Sequence, residues 1–156
     1  MILEWQRGEY TISTNAKRLD LSIIHQFLAS SYWAEGLSLK VLKRSIQYSL
    51  VFGVYQGLQQ IGFARVTTDY STFAYVADVF ILESFRGQGL GKWLIETIVS
   101  HPELQGLRRW LLATKDAQEF YRQFGFTELN NPNRFMEKWN PNVYKQTDYS
   151  FKPNNS

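Results

Sequence analysis

The sequence predicts a mixed α/β domain, with a sheet that begins as antiparallel hairpins, ends in one strand–helix–strand unit and is covered by helices on its faces. Three observations carry this. Runs rich in β-branched and aromatic residues at 50–55, 61–67 and 72–82 are separated by short turns, the pattern of consecutive antiparallel strands. The third run leads straight into a glycine-rich turn and then a segment in which Leu90, Trp93, Leu94 and Ile98 recur at helical spacing. An apolar run at 107–114 and a second amphipathic segment from Asp116 repeat strand and helix once more.

In chain order, a short first strand is expected near residues 9–13. Asp20 can cap a helix that places Ile23, Ile24, Phe27 and Leu28 on one side. The next helix begins near Ser38, with Leu39, Leu42 and Ile46 inward and Lys40, Lys43 and Arg44 outward. Between these helices, Tyr32-Trp33-Ala34-Glu35-Gly36 is too aromatic for an ordinary solvated connection and stands out as a candidate substrate loop. Residues 56–60 form the turn of the first predicted hairpin, and Asp69-Tyr70-Ser71 form the second. Asp116 and Glu119 are spaced as an N-cap and its N3 partner. Ala117, Phe120, Tyr121 and Phe124 form one face, and Gly125 suits the left-handed position after the helix. Beyond a turn at Asn130-Asn131-Pro132-Asn133, residues 134–138 suit a last strand. Residues 140–156 are polar and expected to be poorly ordered, leaving 1–139 as one domain.

Composition narrows the chemistry. A chain of 156 residues with 5 Trp, 9 Tyr and 11 Phe has the size and apolar content of one packed domain. Its net charge of +3 is mild and its basic residues are scattered, which does not indicate nucleic acid. No cysteine is present, so disulfides, thiolate metal sites and a cysteine acyl-enzyme are excluded. His25 and His101 stand alone, and no metal site is expected. Neither a signal-like segment nor a long apolar run occurs, so a cytoplasmic protein without membrane attachment is expected.

The segment from Val79 to Lys92 carries the strongest chemical signal. Gly87, Gly89 and Gly91 permit close approach of an anion to the backbone, at the start of a helix whose first amides lack partners within the helix. Those amides and the helix dipole suit a pyrophosphate. A dinucleotide fingerprint counted from Gly87 would need glycine at Lys92, and a P-loop would need glycine at Arg86 and Ser or Thr at Trp93, so neither fits. What remains is Arg-x-x-Gly-x-Gly at Arg86, Gly89 and Gly91. Downstream stands an Ala-x-x-x-Tyr-x-x-x-Gly-Phe pattern at Ala117, Tyr121, Gly125 and Phe126.

Together, in this order, the two motifs resemble the GNAT superfamily of N-acetyltransferases. The resemblance is strong over about residues 72–126 and consistent over the two leading helices and the first hairpin. It implies an α/β fold with a mixed, mostly antiparallel sheet flanked by helices on both faces, and acetyl-CoA as acyl donor. Direct transfer to a primary amine, with both substrates bound together, follows from the same likeness.

Such a reaction needs a base for the amine's proton, a donor for the oxyanion and an acid for the departing thiolate. The resemblance gives the acid's role to Tyr121. Asp78 is the leading candidate base because it interrupts an apolar strand just before the cofactor segment, with Glu35 and Glu83 in reserve. A main-chain N–H at Phe80 or a neighbour is implied as oxyanion donor. Val79, Phe80 and Ile81 would pair with the pantetheine arm, and Gln88, Gly89, Leu90, Gly91 and Lys92 would surround the pyrophosphate beside Arg86 and Gly87. Ala117 and Phe120 share the motif helix. Thr114 stands where many members carry asparagine and still offers the cofactor arm a hydroxyl.

The acceptor is expected to be a small amine entering through a mouth of Tyr32, Trp33, Glu35, Phe73 and Tyr75, with Asn133, Arg134 and Phe135 as closers of the other side. Family habit suggests a homodimer. Two rival functions are a CoA-binding module without turnover and an acetyltransferase acting on protein N-termini or lysines.

Overall fold

The structure, a computed structural model, describes residues 1–145. The rest of the expected tail, 146–156, lies outside the described residues. Six strands form one sheet in sequential order: β1 (Glu4–Arg7), β2 (Tyr10–Ser13), β3 (Leu50–Gln56), β4 (Gln59–Thr68), β5 (Phe73–Ile81) and β6 (Arg109–Leu112). Every neighbouring pair is antiparallel except β5 and β6, which are parallel and joined through α3 (Leu90–Val99). The remaining helices are α1 (Leu21–Ala29), α2 (Leu39–Gln47) and α4 (Gln118–Arg122). Among the described residues, no helix is long and apolar enough to cross a membrane, and no cluster of three metal-binding side chains occurs.

The chain divides into two compact units, one of Met1–Asp20 and Ile46–Thr127, the other of Leu21–Ser45 and the chain from Glu128 onward. The first unit holds the sheet. Alternate residues of its strands, including Ile12, Phe52, Val54, Ala64, Val66, Ala74 and Val76, form one apolar face. Leu90, Trp93, Leu94, Ile95 and Ile98 of α3 join them in a single buried cluster, so the helical spacing seen in the sequence is the stripe that fixes α3 on the sheet.

The second unit contains α1, most of α2 and the loop between them. Ser38 begins α2 as expected, its hydroxyl accepting from the amide of Val41 at 3.2 Å. Leu42 and Ile46 are buried, but Leu39, on the same stripe at the first helical position, is 40% exposed. The 30–38 loop is closed by its own bonds: Gly36 N–H to Ala29 O at 3.1 Å, and the ring Nε2 of His25 to Leu37 O at 2.7 Å.

Several boundaries differ from expectation for local reasons. The first strand has a partner: β1 folds back on β2 through a turn at Gly8, which takes φ +58°. The β3–β4 turn is shorter than 56–60, with Gln56 already paired to Gln59 around Gly57 and Leu58. The predicted buried strand at 107–114 is only the half-buried β6, an edge strand four residues long. Residues 134–138 form no strand, because Pro132 starts a 3-10 turn at Pro132–Arg134 and, among the described residues, no strand pairs with the chain that follows.

Candidate active site

Strands β5 and β6 run side by side only as far as the pair Val76 and Leu112. Beyond it β5 continues to Ile81 on β4 alone, and β6 has ended. The sheet therefore opens a cleft along residues 77–81, at the C-terminal ends of two parallel strands, where α/β sheets characteristically bind ligands. Val79, Phe80 and Ile81 lie on this stretch.

Opposite Ala64, β5 carries an extra residue, since the register passes from Phe63–Phe80 to Arg65–Ala77. The bulge is taken up at Asp78, whose φ of +56° is a left-handed conformation that aspartate tolerates better than most residues. Its carboxylate accepts from Arg65 Nε at 2.8 Å, and Arg65 Nη1 also donates to Ser49 Oγ at 3.3 Å and Thr67 Oγ1 at 3.2 Å. Asp78 is therefore not the lone charge of an apolar strand that the sequence suggested; a guanidinium neutralises it. Sequence reading missed Arg65, although one cation in an apolar run facing one anion in the next strand of a hairpin was a usable signal.

The turn after β5 is built from its side chains as well as its glycines. Glu83–Phe85 make a 3-10 turn, and Arg86 Nε folds back onto Ile81 O at 2.9 Å. Arg86 thus fastens the loop to the strand end. Gly87 and Gly89 take φ of +82° and +80°, and Gly89 is the N-cap of α3. A side chain at Gly89 would strain this backbone, although a Cβ there would meet only open space. The first bond of α3 runs from Trp93 N–H to Gly89 O, so the amides of Leu90, Gly91 and Lys92 have no acceptor within the helix. They are presented beside exposed Gln88, as an anion site requires.

Helix α4 closes the far side. A Cβ at Gly91 would come 3.8 Å from Phe120 Cζ and 3.9 Å from Ile81 Cγ1, so the end of β5, the first turn of α3 and α4 converge at this glycine. Tyr121, half-buried on α4, stacks edge-on against Phe120 at 5.0 Å and Phe126 at 6.0 Å. Its helix is capped otherwise than predicted: α4 starts at Gln118, and the amide of Ala117 bonds Thr114 Oγ1 at 3.1 Å. Asp116 therefore falls outside the cap position, and Glu119 pairs with Arg122 at 2.9 Å. Gly125 adopts the expected left-handed φ, +93°.

Of the predicted acceptor residues, Phe73 and Tyr75 lie on β5 in the first unit. Tyr32 and Trp33 stand in the second, exposed and in edge-on contact at 5.2 Å, with exposed Glu35 in the same loop. Glu83 sits in the 3-10 turn, as a turn residue would.

A family model described as an acetyltransferase (GNAT) domain matches residues 47–128. A Gibberella zeae protein named as an acetyltransferase is 31% identical over 140 residues, covering 75% of this chain and 78% of its own. A solved structure from Xanthomonas campestris pv. campestris, described as belonging to the GNAT family, is 42% identical. It superposes with a TM-score of 0.86, covering 88% of this chain and 97% of its own. A Clostridium acetobutylicum structure solved with acetyl-CoA shares the fold at 13% identity, with a TM-score of 0.60 over 88% of this chain and 96% of its own. The opened sheet, the left-handed glycine turn and these matches agree, and the chain belongs to the GNAT family of acetyltransferases.

Proposed function

We propose that this chain transfers an acetyl group from acetyl-CoA directly to the primary amine of a small acceptor, both substrates being bound together. The observation that carries the proposal is the parting of β5 from β6 at Val76 and Leu112, with the α3 amides and two left-handed glycines at the end of the opened strand. These residues fit the donor: a backbone edge at 77–81 suits an amide-bearing arm, and acceptor-free N–H groups suit a diphosphate.

When bound, acetyl-CoA supplies a thioester whose acetyl group an amine can take. The chain's own residues supply the rest. Gln88, Gly89, Leu90, Gly91 and Lys92 hold the phosphates, and Val79, Phe80 and Ile81 align the arm. A main-chain N–H at Phe80 or its neighbour stabilises the developing oxyanion. Asp78, held in place by Arg65, accepts the amine's proton directly or through water, and Tyr121 gives a proton to the departing thiolate.

The test is free-thiol release from acetyl-CoA across a panel of small amines, amino acids and peptides. Release with small primary amines is expected. CoA binding without release on any acceptor, or release with peptides alone, contradicts the proposal.

A further inference from the structure

The phosphate loop is fastened from an element the motif does not include. Arg7 and Tyr10 are the cross-strand pair that closes the β1–β2 turn, and both side chains leave that turn toward the loop and its helix. The guanidinium of Arg7 lies 5.0 Å over the ring of Trp93, one turn into α3. The hydroxyl of Tyr10 donates to Gln88 Oε1 at 2.9 Å, bridging 78 residues of sequence. Gln88 Nε2 in turn donates to Phe85 O at 3.3 Å. The Gln88 amide is thus held at both ends.

Gln88 is where such a hold has most effect. It stands between Gly87 and Gly89, both left-handed, in the stretch of backbone with the fewest side chains to restrain it. An anion site made of main-chain N–H groups binds well only when those groups already point the right way, because ordering them on binding subtracts from affinity. Arg86 holds the strand end of the loop through Ile81 O, and Tyr10 holds its helix end.

We infer that Tyr10 is a positioning residue for the CoA phosphate loop, acting through Gln88, with Arg7 on Trp93 steadying the same hairpin against α3. This rests on the reading of the loop as a CoA site. Tyr10 touches no substrate in this scheme. Its loss should weaken CoA binding and leave the chemical step alone.

The variant is Tyr10→Phe, which keeps the ring and the strand and removes only the hydroxyl. Calorimetric titration with CoA should show about fivefold weaker binding, the equivalent of one ordinary hydrogen bond. With a working acceptor, KM for acetyl-CoA should rise by a similar factor, with kcat within twofold and the thermal midpoint nearly unchanged. In a Gln88→Leu background, adding Tyr10→Phe should have no further effect on CoA affinity. Unchanged affinity in Tyr10→Phe overturns the inference, as does an effect that persists in the Gln88→Leu background or a fall in kcat alone. The two levels of failure are separable: if the parent protein binds no CoA, the function itself is wrong, whereas parent and variant binding CoA equally removes only the role of Tyr10.

Discussion

Arg65 Nε meets the Asp78 carboxylate at 2.8 Å across the β4–β5 bulge, with both side chains mostly buried, at 20% and 11% exposure. The ion pair sits on the residue that redirects β5 into the cleft, so one carboxylate carries both a structural and a proposed chemical role. Removing either partner leaves the other charge poorly solvated, which costs about 2 kcal/mol at this partial burial. Asp78→Asn and Arg65→Met should therefore lower stability in denaturant titrations by similar amounts. If Asp78 is the base, kcat should fall about 100-fold in Asp78→Asn and less than tenfold in Arg65→Met. Equal falls would make the pair structural only.

Tyr121→Phe preserves the ring contacts with Phe120 and Phe126 and removes the phenolic hydroxyl. Thiol release should slow by about 100-fold or more, with KM for acetyl-CoA changed less than twofold. Full activity in the variant would remove Tyr121 from the reaction.

Tyr55 is 2% exposed and its hydroxyl has no hydrogen-bond partner among the described residues. Burial, set against the nearby Arg18 charge, pushes its phenol up to about 12. Tyr55→Phe deletes an unsatisfied buried group and should raise stability by about 1 kcal/mol. In the parent protein the unfolded chain ionises first as pH climbs past about 10, so this residue's contribution is lost between pH 10 and 12. Equilibrium unfolding across that range should show the alkaline loss in the parent and a smaller one in Tyr55→Phe.

His101 is 1% exposed, edge-on to Trp5 and Phe52, and its Nδ1 accepts from the amide of Glu103 at 3.1 Å. The neutral ring therefore carries its proton on Nε2, which has no partner among the described residues. Burial lowers its proton affinity, while Glu103 opposes the shift and the N-terminal amine adds to it. The unfolded chain takes up the proton first. Stability should thus hold above about pH 6.5 and fall below it, with a slope approaching about 1.4 kcal/mol per pH unit from this residue. Urea midpoints from pH 7.5 to 5 should show this decline in the parent and a shallower one in His101→Asn.

The sequence made the glycine turn and α3 legible because their signal is local: Gly87 and Gly89 need left-handed backbone, and Leu90, Trp93, Leu94 and Ile98 share one face. Gly125 was legible through motif spacing and takes its expected left-handed φ. What escaped was tertiary. The β1 strand has few apolar residues and gains definition only by pairing with β2, and without it the reach of Tyr10 to Gln88 had no basis. Asp116 looked like a cap because spacing does not reveal that Thr114 already holds the amide of Ala117. The strand expected at 134–138 had adequate side chains but no neighbour to pair with, and a strand exists only with a partner.

In the proposed complex, main-chain amides at the start of α3 hold a diphosphate beside the opened end of β5. Titrating CoA into isotope-labelled protein while following backbone amide shifts tests it residue by residue. The largest changes should fall on residues 87–92, followed by 79–81, and Gly89→Val should abolish them by straining the left-handed backbone of the turn. Shifts centred elsewhere, or near-normal binding in Gly89→Val, would contradict the account.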